Sequence, residues 1–147
     1  MNRKFLFIII GITVVGLLGY SLFLAWRASQ GEKEGALLLT GQQGARVEVK
    51  DFLANNSQTF DYGAVIAETE QFSIVYFSED EGILITLTQK PLFEAQVAAE
   101  AELLEQLGVG REQACELKAY ESVPINVDEA ASGQNYPLSF CPGGNNF

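Results

Sequence analysis

The chain has 147 residues, with 9 basic and 19 acidic side chains, two cysteines and no histidine. Without histidine, Ser-His-Asp and Cys-His nucleophile activation and histidine-containing zinc sites are excluded. Residues 28–147 carry 6 basic and 19 acidic side chains, a net charge of −13, which disfavours binding to nucleic acid or to anionic lipid surfaces.

An uncharged run at residues 5–26 directly follows the basic pair Arg3 and Lys4. As a helix this run would span roughly 33 Å, slightly more than the hydrocarbon core of a bilayer. Only Arg27 follows it closely, so the positive-inside rule places residues 1–4 in the cytoplasm and the rest of the chain outside. The run therefore predicts a single-pass anchor in the plasma membrane, with the lipid bilayer as its partner.

A cleaved secretory signal is the alternative explanation of the same run. Gly19 and Ser21 are small residues at a separation that suits a signal peptidase. Signal cores, however, are usually about 7 to 15 residues long, and this one is longer. The length favours the anchor.

Residues 27–45 are rich in glycine and mixed charge, which is typical of a flexible tether. The following segment, 46–53, alternates Val47 and Val49 with charged residues and predicts a short strand or turn. We place the start of the folded domain at residue 46.

The clearest local pattern is a β-hairpin at residues 72–88. Apolar and β-branched side chains alternate through 72–77, a turn sequence occupies 78–82, and a second alternating run covers 83–88. Pro91 then suits the first turn of a helix, and Gly108 suits its left-handed C-cap. Within this helix, the spacing predicts that an apolar stripe packs on the sheet; its members are Phe93, Val97, Ala101, Leu104, Leu103 and Leu107.

Two further strands are predicted, at 117–123 and 138–141. If they run antiparallel, the start of one meets the end of the other, and Cys115 comes within bonding reach of Cys141. Two cysteines in an oxidising compartment favour a disulfide over free thiols or a redox pair. Residues 144–147 are predicted to form a loose tail.

Together these elements predict an α+β protein: an N-terminal transmembrane helix, then a two-layer domain with a three- to four-stranded sheet packed on one long helix. The extracytoplasmic domain is expected to cover residues 46–143.

The order of several short segments resembles a family of small single-pass exported proteins from small-genome bacteria. The segments are DFL at 51–53, FSIVYF at 72–77, ILITL at 83–87, KPL at 90–92, LGV at 107–109, AC at 114–115, VP at 123–124 and LSFCPG at 138–143. The resemblance implies a single-pass anchor and a shared small fold. It carries no known reaction or ligand, so it transfers no functional residue.

Several groups of side chains could form sites, and each also has a simpler structural explanation. The acidic turn at 79–82 lacks the ligand spacing of a calcium loop, and Asp128, Glu129 and Asn135, which could converge on a cation, suit a helix N-cap with surface charge. Paired acids for glycoside chemistry are conceivable on the helix, but their spacing mostly spreads them over a solvent face; they are Glu94, Glu100, Glu102 and Glu105. Four tyrosines could form a binding surface, namely Tyr62, Tyr76, Tyr120 and Tyr136, and the two in predicted strands, Tyr76 and Tyr120, are expected to be half-buried.

The sequence thus predicts no catalytic, cofactor-binding or metal-binding residue. The leading hypothesis is a noncatalytic, membrane-anchored module that acts through contact with a protein. A small ligand- or cation-binding module is the alternative, and a hydrolase that relies on carboxylates is the third hypothesis.

Overall fold

The computed structural model describes residues 35–54, 56 and 58–147. The predicted anchor at 5–26, the tip at 1–4 and the first part of the predicted tether lie outside these residues. Within the described ranges, no helix is long and apolar enough to cross a bilayer.

A six-stranded sheet forms the centre of the fold, and its strands lie in the same order as in the chain. Neighbouring strands are antiparallel except for β6 and β7, which are parallel because two helices connect them and return the chain to the same end of the sheet. The elements from this sheet and its crossover are β3 (Thr59–Phe60), β4 (Gly63–Glu68), β5 (Phe72–Phe77), β6 (Gly82–Leu87), α1 (Leu92–Leu107), α2 (Arg111–Glu116), β7 (Ala119–Ser122) and β8 (Asn135–Pro137).

The predicted hairpin is confirmed as β5 and β6. Alternate side chains of both strands point into the core. Tyr76 of β5 and Ile83 of β6 are register partners, and both are buried. The third predicted strand is confirmed as β7, where Ala119 and Glu121 face inwards.

The predicted ends of the long helix are also confirmed. Pro91 immediately precedes α1, and Gly108 follows it in the left-handed conformation, with a φ of 63°. The N–H of Val109 donates to the carbonyl of Leu104 at 3.2 Å and closes the last turn.

Gly108→Ala should therefore destabilise the protein by about 1 kcal/mol, because a side chain in the left-handed region is strained. Chemical denaturation measures this cost. Ala98→Gly, in the interior of the same helix, should cost a similar amount through helix propensity, so it does not identify the cause. Gly108→Asn does: it should be more stable than Gly108→Ala, because asparagine also occurs in the left-handed conformation at helix ends.

The face that α1 buries was predicted only in part. Leu103 and Leu107 of the predicted stripe are buried, whereas Phe93 and Val97 are 53% and 50% exposed and Ala101 is also exposed. In its first turns the helix instead buries small and polar side chains, namely Ala95, Gln96, Ala99 and Glu100. The small alanines let the helix lie close to the sheet, and the two polar residues have polar partners. Apolar spacing alone points to the wrong side of these first turns for this reason.

The predicted tether is wrong over residues 36–45. These residues form β1 (Ala36–Thr40) and a short 3-10 helix (Gln42–Gly44), and β1 pairs antiparallel with β2 (Arg46–Lys50) in a separate two-stranded sheet. Leu39 is buried beside Val47 and Val49 in the core. Burial of Leu39 makes β1 part of the domain, which therefore includes residues ahead of the predicted start at 46.

At the C-terminal end, the fourth predicted strand lies earlier than expected. Residues 135–137 form β8, whereas 138–141 form a turn in which the N–H of Cys141 donates to the carbonyl of Leu138. Cys115 and Cys141 are nevertheless paired as predicted, with their Cα atoms 5.5 Å apart and their sulfurs at bonding distance.

Residues 144–147 have no regular secondary structure, but they are not detached as the prediction of a loose tail implied. The carbonyl of Asn145 accepts a hydrogen bond from Gln96 at 2.7 Å. The ring of Phe147 packs edge-on against Tyr136, with centroids 4.9 Å apart. These contacts anchor the tail to the domain.

The mixed α+β class with a sheet and one long helix is confirmed. The main sheet has six strands instead of the three or four expected, because the short β3 and the irregular β4 were not predicted.

Candidate interaction surface and a buried acid pair

One face of the six-stranded sheet is covered by α1, which packs against β4, β5 and β6. We call the opposite face the open face. Its side chains are mostly half-buried, as expected for residues that touch only their neighbours in a sheet, and Tyr120 is 36% exposed. Val65, Val75, Leu84 and Tyr120 belong neither to the hydrophobic core nor to the apolar side chains packed on it.

A continuous apolar row crosses the open face. Each member is the register partner of the next, so the row runs over five strands and is about 19 Å long at the usual spacing between strands. Its members are Val65, Val75, Leu84, Tyr120 and Pro137.

A polar row lies beside the apolar row, and each of its members is likewise the register partner of the next. It carries hydroxyl and amide groups at successive strands, with one carboxylate at the edge; its members are Glu68, Ser73, Thr86, Ser122 and Asn135.

Aromatic side chains border the apolar row on its other side. Phe77 pairs with Gly63, and the ring of Phe60 lies over Gly63, so close that a Cβ at that position would come within 3.0 Å of it. Phe60 in turn makes an edge-on contact with the exposed Tyr62, with centroids 4.7 Å apart.

Charge distinguishes the open face from the rest of the domain. Over residues 35–147 the chain has 5 basic and 17 acidic side chains, yet Glu68 is the only charged residue on the open face among the six strands described. A surface that combines an uncharged apolar centre with hydroxyl groups can exclude water and still satisfy hydrogen bonds, which is what a protein interface requires.

Three polar side chains on the covered side of the sheet form a buried cluster. Glu121 of β7 and Gln96 of α1 are fully buried, and Glu100, one turn along the helix, is 6% exposed. The Nε2 of Gln96 donates to Oε2 of Glu121 at 2.6 Å, and the carboxylate of Glu100 accepts from the N–H and, at 2.6 Å, from the hydroxyl of Ser139.

The second carboxyl oxygen of Glu121, Oε1, has no donor among the described residues. The pKa of Glu121 is raised to about 8, chiefly by burial; the hydrogen bond from Gln96 lowers it, and the nearby Glu100 contributes a smaller rise. At neutral pH Glu121 is therefore mainly a neutral acid. As a neutral acid, Glu121 can donate a hydrogen bond to the carboxylate of Glu100, which two ionised carboxylates could not form.

This acid pair is buried in the fold. A groove of about 520 Å³ lies elsewhere, between the end of β2 and β4, and neither Glu100 nor Glu121 lines it. Two polar side chains of the groove wall have partners within the fold: Asp51 accepts the N–H groups of Leu53 and Ala54, and Asn56 donates to the carbonyl of Val65. The arrangement suits a structural polar core better than general acid-base chemistry.

The predicted acidic turn serves as a structural joint. Asp80 accepts the N–H of Gly82 at 3.0 Å, and Lys118 donates to the carbonyl of Asp80 at 2.6 Å. The carboxylate of Glu81 accepts the N–H of Thr40, and this hydrogen bond holds the pKa of Glu81 below its usual value. The turn thus links the two sheets.

The predicted loop residues also have structural partners. Asp128 accepts the N–H groups of Ala130 and Ala131 and forms an ion pair with Lys90 at 2.9 Å. The hydrogen bond from Lys90 is the main cause of the lowered pKa of Asp128. Glu129 and Asn135 are exposed and do not converge with it.

Among the acidic residues of α1, only Glu100 points into the fold. Glu94 and Glu105 are exposed, as predicted, and Glu102 accepts a hydrogen bond from Gln106. Within the part of the chain that the structure describes, no three acidic or cysteine side chains come together as a metal site.

The tyrosines have different environments. Tyr76 is buried in the core, where burial is the first cause of its raised pKa. Tyr136 is half-buried, whereas Tyr62 and Tyr120 are exposed on or beside the open face.

Sequence reasoning missed Gln96 and Glu121. The burial of Glu121 could have been predicted, because Ala119, Glu121 and Val123 are alternate residues of one extended segment and therefore face the same side. Its partner on α1 could not be found in the same way, since the apolar spacing pointed to a different face of the helix.

Comparisons of the chain with protein-family profiles, with curated proteins and with solved structures gave no match.

Proposed function

We propose that this protein is a noncatalytic interaction module that binds a partner protein through the open face. In this proposal residues 5–26 anchor it in the plasma membrane and the described domain lies on the outer side. The observation that carries the proposal is the apolar row from Val65 to Pro137, which runs across five strands on the face that α1 leaves uncovered.

The contrast with the surrounding charge supports this assignment. On an acidic domain, solubility favours charged side chains on exposed sheet positions, and such residues would also protect the sheet against association. The open face instead carries Val75 and Leu84 at the centre of the sheet. A partner that covers them gains hydrophobic stabilisation of ~25 cal/mol per Å² of apolar surface.

The position of the acid pair supports a noncatalytic role. Glu100 and Glu121 are the two carboxyl groups whose environment most resembles that of a catalytic pair, but they are buried under α1 and their polar contacts are to the protein itself. A substrate would have to displace the helix to reach them.

Tyr120→Glu should abolish retention of the partner when the tagged full-length chain is isolated from its own membranes. The matched control is Val97→Glu, which adds the same charge at an exposed position of α1 in the other layer. Quantitative mass spectrometry should identify a protein that is retained by the native chain and by Val97→Glu, and reduced at least about tenfold by Tyr120→Glu. Equal retention by all three chains would contradict the proposal.

Circular dichroism separates loss of binding from loss of folding. Because Tyr120 is outside the core, the Tyr120→Glu protein should keep the melting temperature of the native protein within a few degrees.

A further inference from the structure

The open face has an acidic rim at both ends of its strands. At one end the β3–β4 and β5–β6 turns carry Asp61, Glu79 and Asp80; the N–H of Ser78 donates to the carbonyl of Tyr62 and holds these two turns together. At the other end Glu68 closes the polar row, and Glu70 lies in the next turn, tied to β6 through Thr88 at 2.8 Å.

Basic side chains offset part of this rim. Lys118 donates to the backbone carbonyl of Asp80, and the charges of Lys118 and Arg46 help to lower the pKa of Glu81 in the same turn. Lys90 is paired with Asp128, and Arg111 stacks over the ring of Phe140 at 5.3 Å. The five rim carboxylates outnumber Lys118 and Arg46, so a negative charge is left at the edges of the open face for a partner to complement.

A second copy of the chain fits this surface poorly. Packing two open faces together would bring two acidic rims against each other, and each described domain already has a large excess of acidic side chains. Like charges placed opposite each other across an interface cost several kcal/mol, whereas opposite charges speed association and fix the register.

We infer that the occupant of the open face is a different protein, one whose contact surface has an apolar centre and a rim of lysine and arginine. This inference rests on the proposed function and adds the chemistry of the partner to it. Because the rim charges are exposed, their contribution should act mainly on the association rate and should be screened by salt.

A charge-reversal experiment tests the inference. The rim variant combines Glu68→Lys, Glu70→Lys and Glu79→Lys. The control variant combines Glu94→Lys, Glu105→Lys and Glu112→Lys, three exposed residues on the helical layer that change the net charge by the same amount. Both full-length chains are compared with the native chain for retention of the protein whose binding depends on Tyr120.

At about 50 mM KCl we expect the rim variant to lose at least about tenfold in retention and the control to change less than about twofold. At about 500 mM KCl the difference between native and rim variant should shrink, because the Debye length is only a few ångströms. A rim variant that binds like the native chain, while Tyr120→Glu still fails to bind, would overturn this inference and leave the proposed function standing.

Two other outcomes are also decisive. If a differently tagged copy of the chain is the protein retained through Tyr120, the partner is a second copy and the inference is wrong. If no protein depends on Tyr120 at all, the proposed function fails, and the inference fails with it.

Discussion

We expect the native protein to lose stability as the pH rises from about 5 to 9, and we expect Glu121→Gln to prevent this loss. The native carboxyl group has a pKa of about 8 in the folded state, raised from 4.5 chiefly by burial. The folded protein therefore holds this proton more tightly than the unfolded chain does. The resulting stabilisation is complete below about pH 4.5, declines as the pH rises, and is lost above about pH 8.

The size of the effect follows from the same two values. At ~1.36 kcal/mol per pKa unit the full change is at most about 5 kcal/mol, a large part of the 5–15 kcal/mol that stabilises a typical domain. The glutamine keeps an oxygen that can accept from Gln96 and adds an N–H that can face Glu100. We thus expect the variant to match the native protein near pH 5 and to be more stable by several kcal/mol near pH 9.

Chemical denaturation at pH 5, 7 and 9 measures this difference. Glu94→Gln is the matched control, since it makes the same substitution at an exposed carboxylate, on α1. Glu81 and Asp128 have lowered pKa values, so their contributions are lost as the pH falls and act outside this range. A native protein whose stability differs from that of Glu121→Gln by the same amount at all three pH values would show that Glu121 does not hold a proton in the folded state.

Removing the disulfide has the second largest expected effect. Cys115 and Cys141 are separated by 26 residues, and a cross-link over such a loop stabilises a protein by ~3.5 kcal/mol in the chain-entropy model. The link joins α2 to the turn after β8, which also holds Ser139 against Glu100. Replacing both cysteines with serine should lower the denaturation midpoint accordingly.

Reductant provides the control for this prediction. It should destabilise the native protein to about the level of the double-serine variant and leave that variant unchanged. Alkylation and intact mass of the protein isolated without reductant give an independent check, since two freely alkylated cysteines would show that the bond is absent.

Local patterns were enough to predict the elements in which one side of the chain is apolar and the other is not. The hairpin of β5 and β6 was found because Ile74 and Ile85 sit in strict alternation, and α1 because Pro91 and Gly108 mark its ends. Strand β4 was missed because a bulge between Val65 and Ala67 interrupts its alternation, and β1 because glycine and charged residues surround it.

The candidate surface could not be found from the sequence, because it depends on register between strands that are distant in the chain. Val65, Leu84 and Tyr120 form one row only once β4, β6 and β7 are aligned. The buried face of α1 was predicted only in part for a related reason: besides Leu103 and Leu107, the helix turns alanines and polar residues inwards, and the burial of Gln96 is explained by its hydrogen bond to Glu121 of β7.

Photo-crosslinking in intact cells tests the central claim most directly. A benzophenone-bearing phenylalanine analogue is placed at Tyr120 of the full-length chain, and in a matched protein at Val97, which is also exposed but lies on the helical layer. We expect a specific product with another protein from position 120 and none from position 97. Products of equal yield from both positions, or from position 97 alone, would contradict the assignment of the open face as the interaction surface.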